Sequence, residues 1–198
     1  MIPVILIQGN ITRASMSEAF DELCQCVAEL AARPLGIARE LSLIINSNGG
    51  NAPETFAFKD LLIEAATLHG ITIRAKIYRA HSGASIIALA ATHRTIVRHG
   101  TFGFHLGCQN LPLSQIFPVK VEMMYEKRNP SLDDEFVVGL LELKSLSLSW
   151  ISERVPNLAP AKLRELESTC YLNLTPVECL EYGIVHEISE QKAAALHG

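Results

Sequence analysis

One serine of this 198-residue chain is placed where it could act as a nucleophile. Ser82 stands in the segment His81-Ser82-Gly83, between a predicted strand and a predicted helix of small residues. Serine at a helix N-terminus is usually an N-cap, whose oxygen accepts a hydrogen bond from the first turn. The alternative is a nucleophile whose attack creates an oxyanion that the N–H of Gly83 stabilises. This segment alone favours the N-cap.

Two further features could complete the chemistry of acyl transfer. Gly49 and Gly50 directly follow a predicted strand, and adjacent glycines let the backbone approach a ligand and direct N–H groups at an anion. Alone, such a pair more often forms a tight turn. His105 ends an apolar run, and the end of a buried strand is where α/β sheets usually bind ligands. His81 should project differently from Ser82 and is expected at most to support the site.

A regular alternation of apolar segments would position these residues. Continuous apolar runs predict buried strands, and apolar residues at helical spacing predict helices between them. The strands are expected at residues 2–7, 41–45, 71–78 and 184–188, with two short strands at 95–97 and 101–105 around a turn at His99-Gly100. The helices are expected at residues 15–31, 53–68, 83–91, 133–155 and 175–183. This alternation predicts an α/β fold with parallel strands and right-handed crossovers.

Composition narrows the class of protein. Hydrophobic residues make up 48% of the chain and charged residues 19%, which predicts one folded, soluble domain spanning residues 1–198. The net charge of -4 argues against nucleic acid as the main partner. We find no signal peptide and no apolar run long enough for a membrane helix, so no membrane partner is expected. Five cysteines without framework or metal-site spacing indicate unpaired thiols in a reducing cytoplasm, and neither a metal nor a cofactor is expected.

The order of these motifs resembles the proteolytic subunit of the Clp protease and its relatives in the ClpP/crotonase superfamily. The resemblance covers nearly the whole chain and is weakest from residue 108 to 142. The second motif is also similar to a segment of signal peptide peptidase A. The four matching strings are LIINSNGGNAPETFAFKDLL, AHSGASIIALAA, FGFHLG and LTPVECLEYGIVHEI.

The resemblance implies a fold, a mechanism and an assembly. The fold would consist of repeated β-β-α units with a protruding handle helix, residues 113–155 being an irregular insertion plus that helix. Ser82 matches the family nucleophile, and His105 matches the general base of a serine peptidase. Gly50 (or Gly49) and Gly83 match the oxyanion donors. The substrate would be a peptide or unfolded protein, pairing as an added strand along residues 106–111, and the subunits would form a homo-oligomeric ring.

The chain departs from the family at the third member of the catalytic triad. The family places an aspartate four residues before the threonine that opens the last helix, and here Tyr171 stands there. Tyr171 could itself supply a hydrogen bond to His105 as the third member, and nearby polar candidates are Glu167, Thr169 and Asn173. The protein could therefore be a slow enzyme, an enzyme with a Ser-His dyad, or a catalytically impaired subunit or scaffold. A crotonase-type acyl-CoA enzyme, with the same oxyanion hole and no nucleophile, is a further alternative.

A second departure concerns partners. The chain starts at its first predicted strand, with no room for the axial loops that in the family meet an ATPase ring. An ATPase unfoldase partner is therefore doubtful.

Overall fold

A six-stranded sheet organises the computed structural model, which describes residues 1–34, 36–106 and 132–190. Four parallel strands lie in sequence order, β5 is antiparallel to β4, and β6 pairs with β4 in parallel. The strands are β1 (Val4–Ile11), β2 (Glu40–Gly50), β3 (Thr72–His81), β4 (His93–His105), β5 (Tyr171–Leu174) and β6 (Glu187–Ser189). Because β2, β3 and β4 are parallel, their carboxyl ends lie at one edge, which brings Gly50, Ser82 and His105 to the same side.

The helices begin at caps that the sequence provides. Thr12 and Ser15 form a capping box at the first helix, and Thr175 and Glu178 form another at the last. Asn51 caps the second helix through its side chain, which accepts from the N–H of Glu54. The helices are α1 (Arg13–Ala31), α2 (Ala52–His69), α3 (Gly83–Ala90), α4 (Leu132–Arg154), α5 (Pro160–Thr169) and α6 (Pro176–Glu181).

Helix α3 lies at the centre of the core, and all eight of its residues are buried. Its small side chains allow it to contact β2, β3 and β4 closely. Helix α4 packs on it through Trp150, whose indole N–H donates to the carbonyl oxygen of Ile86 at 3.3 Å. The cationic groups of Lys59 and Arg154 lie 4.5 and 4.4 Å from the Trp150 ring. These contacts hold α4 beside the helix that follows Ser82.

The predicted alternation of strands and helices is confirmed, with one error in β4. Residues 93–105 form a single strand, not two short strands around a turn. The pairing with β3 shifts between Ile77 and Arg79. Ile96 pairs with Ile77 and Thr101 with Arg79, so β4 contains extra residues over this stretch and continues as one strand. The opposite edge of β4 pairs with β6 near its start and with β5 near its end. This double pairing stabilises the strand along its length.

Some predicted features differ in detail or lie outside the described residues. One strand, rather than two, precedes each of α1, α2 and α3. The predicted helix at 133–155 is α4, whereas the irregular segment expected from residue 113 lies outside the described residues as far as residue 131. Strand β5 was not predicted because it has only four residues. Helix α5, which precedes it, was also not predicted.

The described part of the chain has no membrane-spanning helix, metal-binding cluster or disulfide. No helix there is long and apolar enough to span a lipid bilayer. No group of three or more histidine, cysteine, aspartate or glutamate side chains there could hold a metal ion. The described cysteines, at positions 24, 26, 170 and 179, form no disulfide.

Arg94 joins the last segment of the chain to the sheet. Its side chain is buried, and burial together with the nearby Arg154 lowers its pKa to about 10. The guanidinium donates to the carbonyl oxygens of Ala91, Gly183 and Ile184 at 2.7, 3.3 and 2.5 Å. Without Arg94 these three carbonyl oxygens would lose their charge-assisted hydrogen bonds. The guanidinium should therefore contribute strongly to stability.

Replacing Arg94 with methionine should lower the free energy of unfolding by about 3 kcal/mol, because buried carbonyl groups lose their charge-assisted hydrogen bonds. Urea unfolding of the variant and of the wild type measures this difference. Arg98→Met is the matched control, since Arg98 is exposed on the same strand, and it should change stability by less than about 0.5 kcal/mol. Equal unfolding midpoints for the two variants would contradict this role of Arg94.

Candidate active site

Ser82 occupies a strained turn between β3 and α3. Its backbone angles are φ 52° and ψ -125°, although it is not a glycine. Its N–H donates to the carbonyl oxygen of Gly103 at 3.0 Å, and its own carbonyl accepts from the Ser85 hydroxyl at 2.6 Å. Such a conformation costs on the order of 1–3 kcal/mol and persists only where the surroundings impose it. The turn is therefore held by β4 on one side and by α3 on the other.

The side chain of Ser82 does not cap the helix. Ser82 stands at the N-cap position of α3, but its hydroxyl makes no capping hydrogen bond. The structure therefore does not support the interpretation of Ser82 as an N-cap. An N-cap serine normally has an extended backbone and accepts a bond from the first turn, and Ser82 does neither.

Close backbone packing explains the glycines beside Ser82. A Cβ atom on Gly49 would lie 2.5 Å from the carbonyl oxygen of His81 and 2.7 Å from the nitrogen of Gly83. A Cβ atom on Gly50 would overlap the carbonyl oxygen of Ile11, and both glycines have positive φ, 87° and 152°. A larger residue at position 49 would displace the turn that carries Ser82, and one at position 50 would displace the backbone of β1 at Ile11.

Thr55 is a further constraint on the same turn, and it was not predicted. Its side chain is buried, and its hydroxyl donates to the carbonyl oxygen of Asn51 at 2.8 Å. A Cβ atom on Gly83 would overlap the Thr55 oxygen. The first turn of α2 therefore packs directly against the first residue of α3. The sequence signal was the start of α2 immediately after the glycine pair.

A small cavity brings the predicted residues together. Its volume is about 60 Å³, and Ser82, His105, Gly50 and Gly83 all line it. The remaining lining residues, mostly apolar, are Ala52, Thr55, Phe56, Ile86, Leu106, Leu143 and Ser147. The cavity therefore combines a hydroxyl, an imidazole and two backbone amides with an apolar wall.

His105 is half-buried at the end of β4. Its Nε2 atom is buried and has no hydrogen-bond partner among the described residues. No hydrogen bond joins it to Ser82, although both side chains line the same cavity. Buried polar atoms of folded proteins are nearly always paired, so an unpaired imidazole nitrogen is available for a group that enters the cavity. Catalytic hydrogen bonds are often long before substrate binds.

Tyr171 is the residue of β5 that lies beside His105. The two residues are directly opposite each other in the β4–β5 pairing, with ring centroids 6.1 Å apart and an angle of 69° between the ring planes. The position counted back from Thr175 is therefore the neighbour of the imidazole. Among the side chains that the structure describes, no aspartate or glutamate lines this cavity or the one next to it.

The other candidates for the third member lie elsewhere. Glu167 is exposed on α5, and its carbonyl accepts from the Lys144 ammonium at 2.7 Å. Thr169 bonds to the backbone at Glu165 and Tyr171. Asn173 pairs with Gly103, two residues before His105, and lines neither cavity.

A larger cavity of about 300 Å³ adjoins the first and was not predicted. Ser82 and His105 line it together with Asn48, Arg79, His81 and Tyr171. His81 Nε2 lies 3.0 Å from the Thr101 hydroxyl, and burial together with the nearby Arg79 lowers the pKa of His81. The alternation of side chains along β3, which places residues 79 and 81 on one face, was the available signal.

Comparison with known proteins supports the fold that this arrangement defines. A solved structure of a ClpP1 point mutant from Listeria monocytogenes matches with a TM-score of 0.63, at 16% sequence identity, over 96% of this chain and 92% of that chain. The chain therefore has a ClpP-like α/β fold, as predicted. No protein-family model and no curated protein sequence matches the chain.

Proposed function

We propose that this protein is a serine-type peptidase with Ser82 as its nucleophile. The observation that carries the proposal is the strained, uncapped conformation of Ser82 at a cavity that also holds His105 and two glycine amides. Strained residues concentrate at active sites, and a serine on a sharp strand-to-helix turn is a recurrent geometry of hydrolase nucleophiles. The ClpP-like fold is consistent with this class of reaction.

Each group of the cavity has a role in this mechanism. His105 accepts the proton of the Ser82 hydroxyl as the oxygen attacks a peptide carbonyl, and returns it to the leaving amine. The N–H groups of Gly50 and Gly83 hold the oxyanion. Gly83 begins α3, where backbone N–H groups have no partner within the helix. The N–H of Gly49 already donates to the Ser47 hydroxyl at 3.0 Å, which favours Gly50 as the other donor.

The apolar wall of the cavity favours a substrate with an apolar side chain next to the reacting bond. Phe56, Ile86 and Leu143 provide this wall opposite the polar groups. Water hydrolyses the acyl-enzyme in the second half of the reaction, with His105 again acting as base. The ClpP-like fold supports a peptide or an unfolded protein as the substrate class of this proposal.

A catalytically impaired subunit is the second candidate. The observation that favours it is the absence of a carboxylate among the described residues that line the two cavities. Labelling with a fluorophosphonate probe, followed by mass mapping of the modified peptide, separates the two candidates. The peptidase proposal requires the probe on Ser82, whereas an intact, unlabelled protein would support the impaired subunit.

We also propose that the subunits assemble into a homo-oligomeric ring. Ile2, Val4 and Leu6, at the start of the chain and on the edge strand β1, are 46%, 50% and 55% exposed. Apolar side chains grouped on an exposed surface mark interaction sites.

Replacing Leu6 with arginine should therefore shift the protein from an oligomer to a monomer, because an unpaired charge would be buried at the contact. Size-exclusion chromatography with light scattering measures the mass. Leu68→Arg is the control, since Leu68 is 70% exposed at the end of α2, and it should leave the mass unchanged. An oligomer that persists in the Leu6 variant would place the contact elsewhere.

A further inference from the structure

The larger cavity contains one guanidinium, and the described residues that line it include no carboxylate. Arg79 lines it and is exposed, and within residues 1–34, 36–106 and 132–190 its guanidinium takes part in no hydrogen bond or ion pair. The charge of Arg79 acts on the His81 ring, whose pKa it lowers in addition to the larger effect of burial. Arg79 is therefore the one permanently charged side chain among the described residues that line this cavity.

The other polar groups of this cavity are also possible hydrogen-bond donors. Asn48 has an amide nitrogen, and Tyr171 has a phenolic hydroxyl. A guanidinium binds a carboxylate through two parallel hydrogen bonds, and such charge-assisted bonds are about twice as strong as neutral ones. The set of side chains is thus suited to a carboxylate rather than to a cation or an apolar group.

The position of the cavity relates this anion site to the reaction. Ser82 and His105 line both cavities, so a peptide whose carbonyl meets Ser82 can extend into the cavity beside Arg79. The two glycine amides line only the smaller cavity. The oxyanion and the carboxylate would therefore occupy separate places.

We infer that Arg79 and the cavity around it bind a carboxylate of the peptide substrate and so select substrates that carry a negative charge near the reacting bond. This inference rests on the proposed function. The carboxylate could belong to an acidic side chain or to the C-terminus of the peptide. Both have the same chemistry, and the experiment separates them.

The first test compares hydrolysis of matched peptides. One series places glutamate or glutamine at each position from three before to three after the cleaved bond, and each peptide is made as the free acid and as the C-terminal amide. We expect the charged peptide of one pair to have a kcat/KM about five- to tenfold higher, in line with a partly desolvated ion pair. R79Q should abolish this ratio, and R98Q, on an exposed residue of β4, should retain it.

The two sources of the carboxylate give different results. A preference for glutamate at one position that persists in the amidated peptides identifies an acidic side chain. A preference for the free acid that amidation removes identifies the C-terminus. An unchanged ratio in R79Q, or no preference in the wild type, would overturn the inference.

A binding measurement keeps this inference separate from the proposed function. Fluorescence anisotropy of a labelled peptide with S82A measures affinity without turnover. Tighter binding of the carboxylate peptide that R79Q removes would support the inference even if the wild type hydrolysed nothing, an outcome in which the proposed function alone fails. Hydrolysis without any dependence on Arg79 would sink the inference alone, and binding without any preference for the carboxylate would do the same.

Discussion

Ser82→Ala should lower kcat/KM for a cleavable peptide by at least about 10³-fold and abolish covalent labelling by a fluorophosphonate. The variant keeps the oxyanion donors and the imidazole but has no atom that can form the acyl-enzyme. Removing the nucleophile of a hydrolase has been found to cost as much as removing its whole triad, because the members act as a unit. The measurement is the rate of peptide hydrolysis together with the mass of the labelled protein.

A matched variant guards against a general loss of structure. Ser152 is exposed on α4, so Ser152→Ala should leave hydrolysis and labelling unchanged. Circular dichroism and urea unfolding should show that Ser82→Ala remains folded. Equal labelling of the wild type and of Ser82→Ala would place the nucleophile at another residue.

The strain at Ser82 provides a second readout of the same residue. Glycine adopts positive φ without steric penalty, so Ser82→Gly should raise the free energy of unfolding by about 1 kcal/mol while also abolishing labelling. Alanine keeps the strain and should bring no such gain. A residue retained only as a helix cap would behave in the opposite way, since its loss destabilises the helix.

The order of strands and helices could be predicted because apolar runs and caps are local features of the sequence. The conformation of Ser82 could not be predicted in the same way. A capping serine and a strained, uncapped serine occupy the same position before a helix, and only the φ angle and the missing capping bond distinguish them. Glycine pairs have the same ambiguity until the neighbouring backbone is known.

A local pattern predicts only part of the larger cavity, namely that Arg79 and His81 lie on one face of β3. Its walls meet because β3 and β4 shift in register between Ile77 and Arg79, and because β5 pairs antiparallel with the end of β4. Strand β5 has four residues and no periodic signal. The spacing that the family resemblance implies, four residues before Thr175, nevertheless identifies Tyr171, which the structure places opposite His105.

Replacing Tyr171 with aspartate should raise kcat for peptide hydrolysis by about 10²- to 10⁴-fold. The side chain at this position lies opposite His105 in the strand pairing, where a carboxylate could accept a hydrogen bond from the imidazole and stabilise its protonated form. In serine hydrolases, the loss of this acid with the geometry retained lowers the rate by about 10⁴-fold. The gain expected here is the reverse of that loss.

Tyr171→Asn is the matched control, because asparagine has the shape of aspartate without its charge. The ratio of kcat between the two variants isolates the charge from the removal of the aromatic ring. Tyr171→Phe tests whether the phenolic hydroxyl already supports the imidazole, in which case that variant should be slower than the wild type. Equal rates for the aspartate and asparagine variants would show that a side chain at position 171 does not reach His105.

The Tyr171→Asp variant also tests whether a carboxylate at position 171 affects the carboxylate binding proposed for Arg79. Tyr171 and Arg79 line the same cavity, so a carboxylate at position 171 would neutralise the guanidinium and compete with the carboxylate of the substrate. Tyr171→Asp should therefore gain in kcat and lose its preference for glutamate over glutamine, whereas Tyr171→Asn should retain that preference. A gain in kcat with the preference unchanged would mean that the acid and the substrate carboxylate occupy different parts of the cavity.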